Sequence, residues 1–311
     1  SINAQGRRQR VLRTEQAKSG VDLKLSLVTE VQKVATNALG SRRGAIVAID
    51  PNNGDVLAFV SMPSFDPNLF VNGISQKAYS ELRLNSDQPL FNRALIGQYP
   101  PGSTVKPVIA LAALESNQIN AENTIFAGPY FQIPKQSRRY RDWKKGGHGR
   151  VDLKLALAQS CDVYFYKLGF AMGIKPMHDM LTRFNLGNKL GLDTMGEARG
   201  LVPSAAWKKR IHDEAWYPGE SVITSIGQGY LLATPLQLAQ MTARLAMNGL
   251  GYKPRFVIAQ RKTKEDGFAP LEPTVLPSID LKQQEHWQQV LSGMRAVVNG
   301  TYMLLENFKF N

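Results

Sequence analysis

The sequence predicts an α+β fold, with strands near both ends of the chain enclosing a helical middle. Two observations carry this. First, the apolar runs of residues 44–50 and 55–60 flank Asn52-Asn53-Gly54, and an Asn-Gly pair between such runs signals a β-hairpin. Second, apolar residues recur at helical spacing from Ser103 to about Met247, and strand-like stretches return only at residues 254–260 and 303–306. A chain of 311 residues, 43% hydrophobic and 20% charged, can bury one large core, or one core with a satellite.

Element by element, residues 1–20 are polar and basic and read as a linker or the tail of a preceding domain, leaving 21–311 as the main domain. Residues 21–27 alternate as a strand, and 30–39 carry Val31, Val34, Ala35, Ala38 and Leu39 at helical spacing. After the hairpin a polar loop region runs to Tyr99. The helical middle follows, with no internal repeat and no low-complexity segment.

The formal net charge is +13, with dense basic patches at Arg7-Arg8-Gln9-Arg10 and across residues 135–150. A basic surface suits any anionic partner. The chain has no RNA-binding signature, zinc-finger spacing or basic heptads, so nucleic acid is not the expected partner. Cys161 is the single cysteine, so no internal disulfide forms; this fits a reducing compartment or an exported protein without disulfides. No apolar run reaches the roughly 18 residues of a transmembrane helix. From the abrupt start at Ser1 we expect a targeting or anchoring segment outside this chain.

The chemistry-bearing stretch is Pro101-Gly102-Ser103-Thr104-Val105-Lys106-Pro107, followed by the apolar run 108–114. A Pro-Gly turn before a helix places Ser103 at the helix N-terminus and Lys106 one turn on, on the same face. An amine that accepts the hydroxyl proton turns a poor nucleophile into a good one, and the positive helix end favours the developing charge. Alone, the tetrapeptide also describes an ordinary Ser cap with a solvated Lys. A second group, Ser160-Cys161-Asp162, lies between two helical segments; it reads as a second active-site hydroxyl or as a plain capping turn.

With both motifs in order, the chain resembles the penicillin-binding transpeptidases. The flanks sharpen the likeness: residues 42–51 with 54–58 are similar to that fold's opening strand pair, and residues 64–68, 93–94 and 99–103 are similar to class B enzymes. Residues 139–144, 147–149 and 225–230 are most similar to the elongation-specific branch of Gram-negative rods, the penicillin-binding protein 2 subfamily. The resemblance implies a penicillin-binding/β-lactamase-like α+β fold, an antiparallel sheet with a mainly helical subdomain. It also implies a peptidoglycan D,D-transpeptidase. Ser103 would be acylated by a D-Ala-D-Ala stem peptide, with Lys106 as its base. Ser160 would shuttle the proton to the leaving amine, with Asp162 in the place of an Asn common in relatives. The backbone N–H of Ser103 would form half of the oxyanion hole. β-Lactams would trap Ser103. No catalytic cofactor is implied. Implied partners are stem peptides, a glycan polymerase and elongation-complex proteins, and the implied location is the periplasm, on an inner-membrane anchor outside this chain.

Two departures stand out. No Lys-Thr-Gly or Lys-Ser-Gly follows Ser160; Lys18-Ser19-Gly20 precedes Ser103, in the wrong order. Residues 301–307 are similar to the family's final strand, so we expect a segment carrying the third motif to be missing near 300–303. The subfamily also implies a structural zinc held by Asp142, His148 and Cys161 plus an Asp in a preceding turn; that turn here reads Phe126-Ala127-Gly128-Pro129, so Ala127 replaces the fourth ligand, and with three protein ligands left we expect zinc binding to be weakened and the site to be empty. His178, His212 and His286 read as surface or packing histidines, and Trp143, Trp207, Trp216 and Trp287 as core or cleft wall.

Two alternatives stay open. One is a D,D-carboxypeptidase or β-lactamase, in which water deacylates Ser103; no segment supplies a water-activating Glu of the class A type. The other is a penicillin-recognising sensor or scaffold without turnover, which the absent third motif favours.

Overall fold

The structure is a computed structural model, described here for residues 19–300. In chain order, β1 (Asp22–Leu25) precedes α1 (Thr29–Leu39), β2 (Gly44–Ile49), β3 (Val56–Met62) and α2 (Gln76–Leu84). Then come α3 (Lys106–Glu115) and four short strands, β4 (Ile125–Ala127), β5 (Tyr130–Gln132), β6 (Arg139–Arg141) and β7 (Gly149–Val151). Helices α4 (Leu153–Ala158), α5 (Asp162–Met172), α6 (Ile174–Arg183), α7 (Ala205–His212), α8 (Pro218–Thr224) and α9 (Pro235–Ala246) follow. Strands β8 (Val257–Arg261) and β9 (Ala269–Pro270) and helix α10 (Glu285–Asn299) close the described chain.

The chain divides into two compact units. Among the described residues, the smaller joins 19–25 with Val257–Glu272. In it β8 lies between β1 and β9, both antiparallel to it, with Asp22 opposite Arg261. That pair is tied by an Arg261 Nε to Asp22 Oδ2 bond of 2.8 Å.

The larger unit holds the remaining described residues. Its hairpin β2–β3 runs Gly44↔Met62 to Ile49↔Val56, with a register shift after Ala48. Gly54 closes the turn at φ +80°, as the Asn-Gly signal requires. Helix α1 packs on β3. The main core is helical: every residue of α3 from Lys106 to Leu114 is buried, and α5 buries Val163 to Tyr166 with Leu168 and Gly169. A helix apolar on all sides needs neighbours on all sides. Here α6 and α10 pack on α3, α8 packs on α5, and α10 also covers α4. Polar caps set the helix starts: Asp152 accepts the Leu155 N–H at 2.7 Å, and Thr234 and Gln237 form a reciprocal capping box on α9.

The α+β expectation therefore holds, with local corrections. The polar region before Tyr99 is not all loop: Ser75 caps α2, and a 3-10 turn spans Pro67–Phe70. Its polarity hid the period, because α2 has no buried residue. The helical middle is interrupted by two antiparallel pairs, β4–β7 and β5–β6, whose three-residue strands are too short to show alternation. The expected strand at 303–306, the linker reading of residues 1–18 and the residues beyond the expected gap near 300–303 lie outside the described residues.

Candidate active site

Two turns present the reactive groups. Pro101-Gly102 leads into a 3-10 turn, Gly102–Val105, which continues directly into α3. The Gly102 N–H donates to Gly227 O at 2.9 Å. Gly227 has φ +74°, and a Cβ there would lie 2.0 Å from Gly102 O, so this contact admits only glycine. Ser103 is exposed, while Lys106, one turn on, is 2% exposed. The second turn joins α4 to α5. The Ser160 and Cys161 N–H groups bond back to Leu157 O and Ala156 O, and Ser160 takes the left-handed φ of +50°.

The side chains meet in a line. Lys106 Nζ donates to Asp162 Oδ1 at 2.6 Å, to Ser160 O at 2.8 Å and to Ser160 Oγ at 3.0 Å. Ser160 Oγ lies 2.9 Å from Ser103 Oγ and donates to it. The Phe165 ring stands 5.3 Å from the amine. Burial pushes the Lys106 pKa below its usual 10.5, although the adjacent Asp162 carboxylate acts the other way. A larger share of the amine is thereby neutral. With the hydrogen bonds reversed, Ser103 donates to Ser160 and Ser160 to a neutral Lys106, which carries a proton off the nucleophile. The sequence expectation of Lys106 acting on Ser103 is thus refined: the amine reaches that hydroxyl through Ser160. The chemistry open to such a line is nucleophilic acyl transfer.

The family model described as the penicillin binding protein transpeptidase domain matches residues 44–307. The chain belongs to the penicillin-binding protein transpeptidase family. It is 49% identical to the peptidoglycan D,D-transpeptidase MrdA of Acinetobacter baumannii over 245 residues, 79% of this chain and 36% of that protein. Among solved structures, Pseudomonas aeruginosa PBP2 in complex with WCK 5153 superposes with a TM-score of 0.85 at 48% identity, covering 91% of this chain and 63% of that one. The complex between PBP2 and MreC from Helicobacter pylori gives 0.82 at 34% identity, covering 97% and 54%. The chain thus spans well under the full length of these relatives.

Next to the catalytic line, this transpeptidase domain brings Asp142, His148 and Cys161 together, with one donor atom from each within 4.8 Å of the others. His148 Nδ1 is 3.3 Å from Asp142 Oδ1 but is not aligned for a hydrogen bond, so both buried ring nitrogens lack a hydrogen-bond partner. Cys161 Sγ is 3.5 Å from Asp142 Oδ2, and burial pushes its thiol up to about 12. Carboxylate, imidazole and sulfur with unsatisfied nitrogens fit a zinc ion, whose charge would favour the thiolate. Ala127 is buried beside them, and its carbonyl accepts the His148 N–H at 2.8 Å. Asp142 also accepts the Lys144 and Val163 N–H groups, each at 3.0 Å, which ties it to the first turn of α5.

Of the remaining residues read as surface, core or cleft wall, His286 differs from its reading. His286 has a carboxylate partner, with Nδ1 2.6 Å from Glu115 Oε1. Trp287 is core, whereas Trp143 is half exposed and its Nε1 donates to Gln159 O at 3.1 Å, beside Ser160. The positioning role of Gly227 was missed. Its signal was present in two glycines flanking Gln228, but their spacing says nothing about which loop they meet.

Proposed function

We propose that this chain is the catalytic domain of a peptidoglycan D,D-transpeptidase acting in cell elongation. One observation supports the reading above the rest: the unbroken hydrogen-bonded line Asp162–Lys106–Ser160–Ser103, with only Ser103 exposed to an incoming substrate. In this reading Ser103 Oγ attacks the carbonyl between the two terminal D-Ala residues of a stem peptide. Its proton passes through Ser160 to Lys106. Collapse of the tetrahedral intermediate breaks the peptide bond, and the Ser160 line returns the proton to the departing D-Ala amine. An amine of a second stem peptide then attacks the Ser103 ester, forms the cross-link and frees the hydroxyl. Asp162 holds the amine in place throughout. A β-lactam ring would acylate the same oxygen.

Asp142, His148 and Cys161 would hold a structural zinc, and the ion would supply rigidity beside Ser160 without entering the reaction. The expected partners are a glycan polymerase and elongation-complex proteins; the MreC complex of the Helicobacter pylori relative favours the latter. The expected setting is the periplasm, on an inner-membrane anchor. No helix among the described residues is long and apolar enough to cross a membrane.

The test is intact-protein mass spectrometry after incubation with a penicillin, beside Ser103→Ala. A one-equivalent adduct lost in the variant supports the reading; an adduct that survives the substitution refutes it. The absent Lys-Thr-Gly or Lys-Ser-Gly favours a second reading, a penicillin-recognising module without turnover. Adduct formation with no cross-linked product from stem peptides would decide for that second reading.

A further inference from the structure

A cavity of about 470 Å³ opens between α6, α7 and the loop at 186–204, and none of the four residues of the catalytic line borders it. Its wall carries Arg199, Arg210, His178, Thr182 and Trp207, and no Asp or Glu. Among the described residues neither guanidinium has a hydrogen-bond or carboxylate partner. Two unpaired guanidiniums in one concavity leave ten N–H donors without a protein acceptor, and their planar forks match a carboxylate.

The cavity is rigidly built. Gln237, fully buried, donates through Nε2 to Asn188 O at 2.8 Å and to Arg199 O at 2.7 Å, while its Oε1 accepts the Thr234 N–H at 2.9 Å. These bonds clamp two edges of the lining loop. Gly200, at φ +66°, leaves no room for a side chain: a Cβ would meet Leu232 O at 2.5 Å and Gln237 Oε1 at 2.7 Å. His178 Nδ1 lies 3.1 Å from Pro203 O. A carbonyl only accepts, so Nδ1 carries the hydrogen and fixes the ring's orientation.

We infer that this cavity is an accessory site that binds a carboxylate of an acidic peptide without reacting with it. The identity of the peptide rests on the transpeptidase reading, since stem peptides bring free carboxylates to this domain. The cavity loop and the nucleophile turn are bonded to one common segment, residues 227–233. Leu201 exchanges backbone hydrogen bonds with Leu232 at 2.7 and 2.9 Å. In the same segment Gly227 O accepts from Gly102, and Ala233 exchanges bonds with Tyr99 at 2.9 Å. A peptide anchored by Arg199 and Arg210 is therefore held beside a loop that is bonded, through Leu201, to the segment that braces Ser103.

The experiment is calorimetric titration of the full chain with N-acetyl-γ-D-glutamylglycine, its diamide and inorganic phosphate, using the wild type, the Arg199→Ala/Arg210→Ala double variant and the matching double Lys variant. The expected result is saturable binding of the dicarboxylate, none of the diamide, affinity at least about tenfold weaker in the Ala variant, and partial recovery in the Lys variant. Penicillin acylation of Ser103 serves as the folding control and is expected to be the same in all three proteins. No binding to the wild type, equal binding to the double Ala variant, or binding of phosphate without the peptide would overturn the assignment. Dicarboxylate binding in a wild type that penicillin fails to acylate would sink the enzymatic reading while leaving the carboxylate site standing.

Discussion

Replacing Ser160 separates the relay from the rest of the site. Lys106 Nζ has three acceptors, and only Ser160 Oγ is lost on Ser160→Ala; Ser160 O at 2.8 Å and Asp162 Oδ1 at 2.6 Å still hold the amine. The nucleophile turn is untouched, because Gly102 is braced by Gly227. Acylation should therefore slow by the general-base contribution alone, about 100-fold or more. Stability should fall as well. One N–H of a buried ammonium loses its partner, at about 1–3 kcal/mol, which for a domain of this size lowers Tm by roughly 2–4 °C per kcal/mol. Ser160→Gly makes a sharper control. Ser160 sits at φ +50°, a conformation that costs a side-chain-bearing residue about 1–2 kcal/mol and glycine almost nothing. The glycine variant should thus acylate as slowly as the alanine variant while melting close to the wild type. The assays are stopped-flow acylation with a chromogenic cephalosporin and differential scanning calorimetry. An alanine variant that acylates within threefold of the wild type would show that Lys106 deprotonates Ser103 without Ser160, and the relay would be wrong.

Three further outcomes are expected. Gly227→Ala, which drives a Cβ to 2.0 Å from Gly102 O at φ +74°, should cost about 2–4 kcal/mol in thermal unfolding and slow acylation at least tenfold; unchanged Tm and rate would show that Gly227 does not brace the nucleophile turn. Acylation should rise with pH through an apparent pKa below 10.5, since burial depresses that of Lys106; the folded state then holds this proton less tightly than the unfolded chain, so the lysine's penalty on stability shrinks as pH climbs from the depressed value towards 10.5, and Lys106→Met should flatten both profiles. Ala127→Asp should raise the zinc content measured by elemental analysis and raise Tm in zinc buffer, while Cys161→Ser should lower the metal content; equal metal in all three proteins would argue against a metal role for the Asp142–His148–Cys161 cluster.

The parts of the site that lie within one turn of helix were readable in the sequence. Ser103 and Lys106 are three residues apart on a helical start, and local geometry alone puts them side by side. Ser160 and Asp162 were located by motif, but their order in the relay was not, because it depends on the left-handed φ at Ser160, and no residue type there announces it. The hairpin around Asn52-Asn53-Gly54 was legible from its turn chemistry, and the buried helices α3 and α5 from their apolar runs. What the sequence hid was contact between distant segments: Gly227 against Gly102, Glu115 against His286, and Gln237 clamping Asn188 and Arg199. Each of these is set by how helices stack, and stacking leaves no mark at fixed sequence spacing.

Residues 160–162 show how tightly two roles are folded together. Ser160 and Asp162 both turn to Lys106, while the residue between them, Cys161, lies against Asp142. The left-handed φ at Ser160, one residue before the Cys161 N-cap of α5, permits this split within the short turn between α4 and α5. Asp142 then fixes the same helix start from behind by accepting the Val163 N–H. Moving Asp142 would therefore shift the first turn of α5, and with it the carboxylate that orients Lys106. Asp142 is thus tied to the relay through the position of Asp162. Asp142→Ala should accordingly slow acylation even in zinc-free buffer, whereas His148→Ala, which leaves the Asp142–Val163 bond in place, should do so only to the extent that zinc is bound.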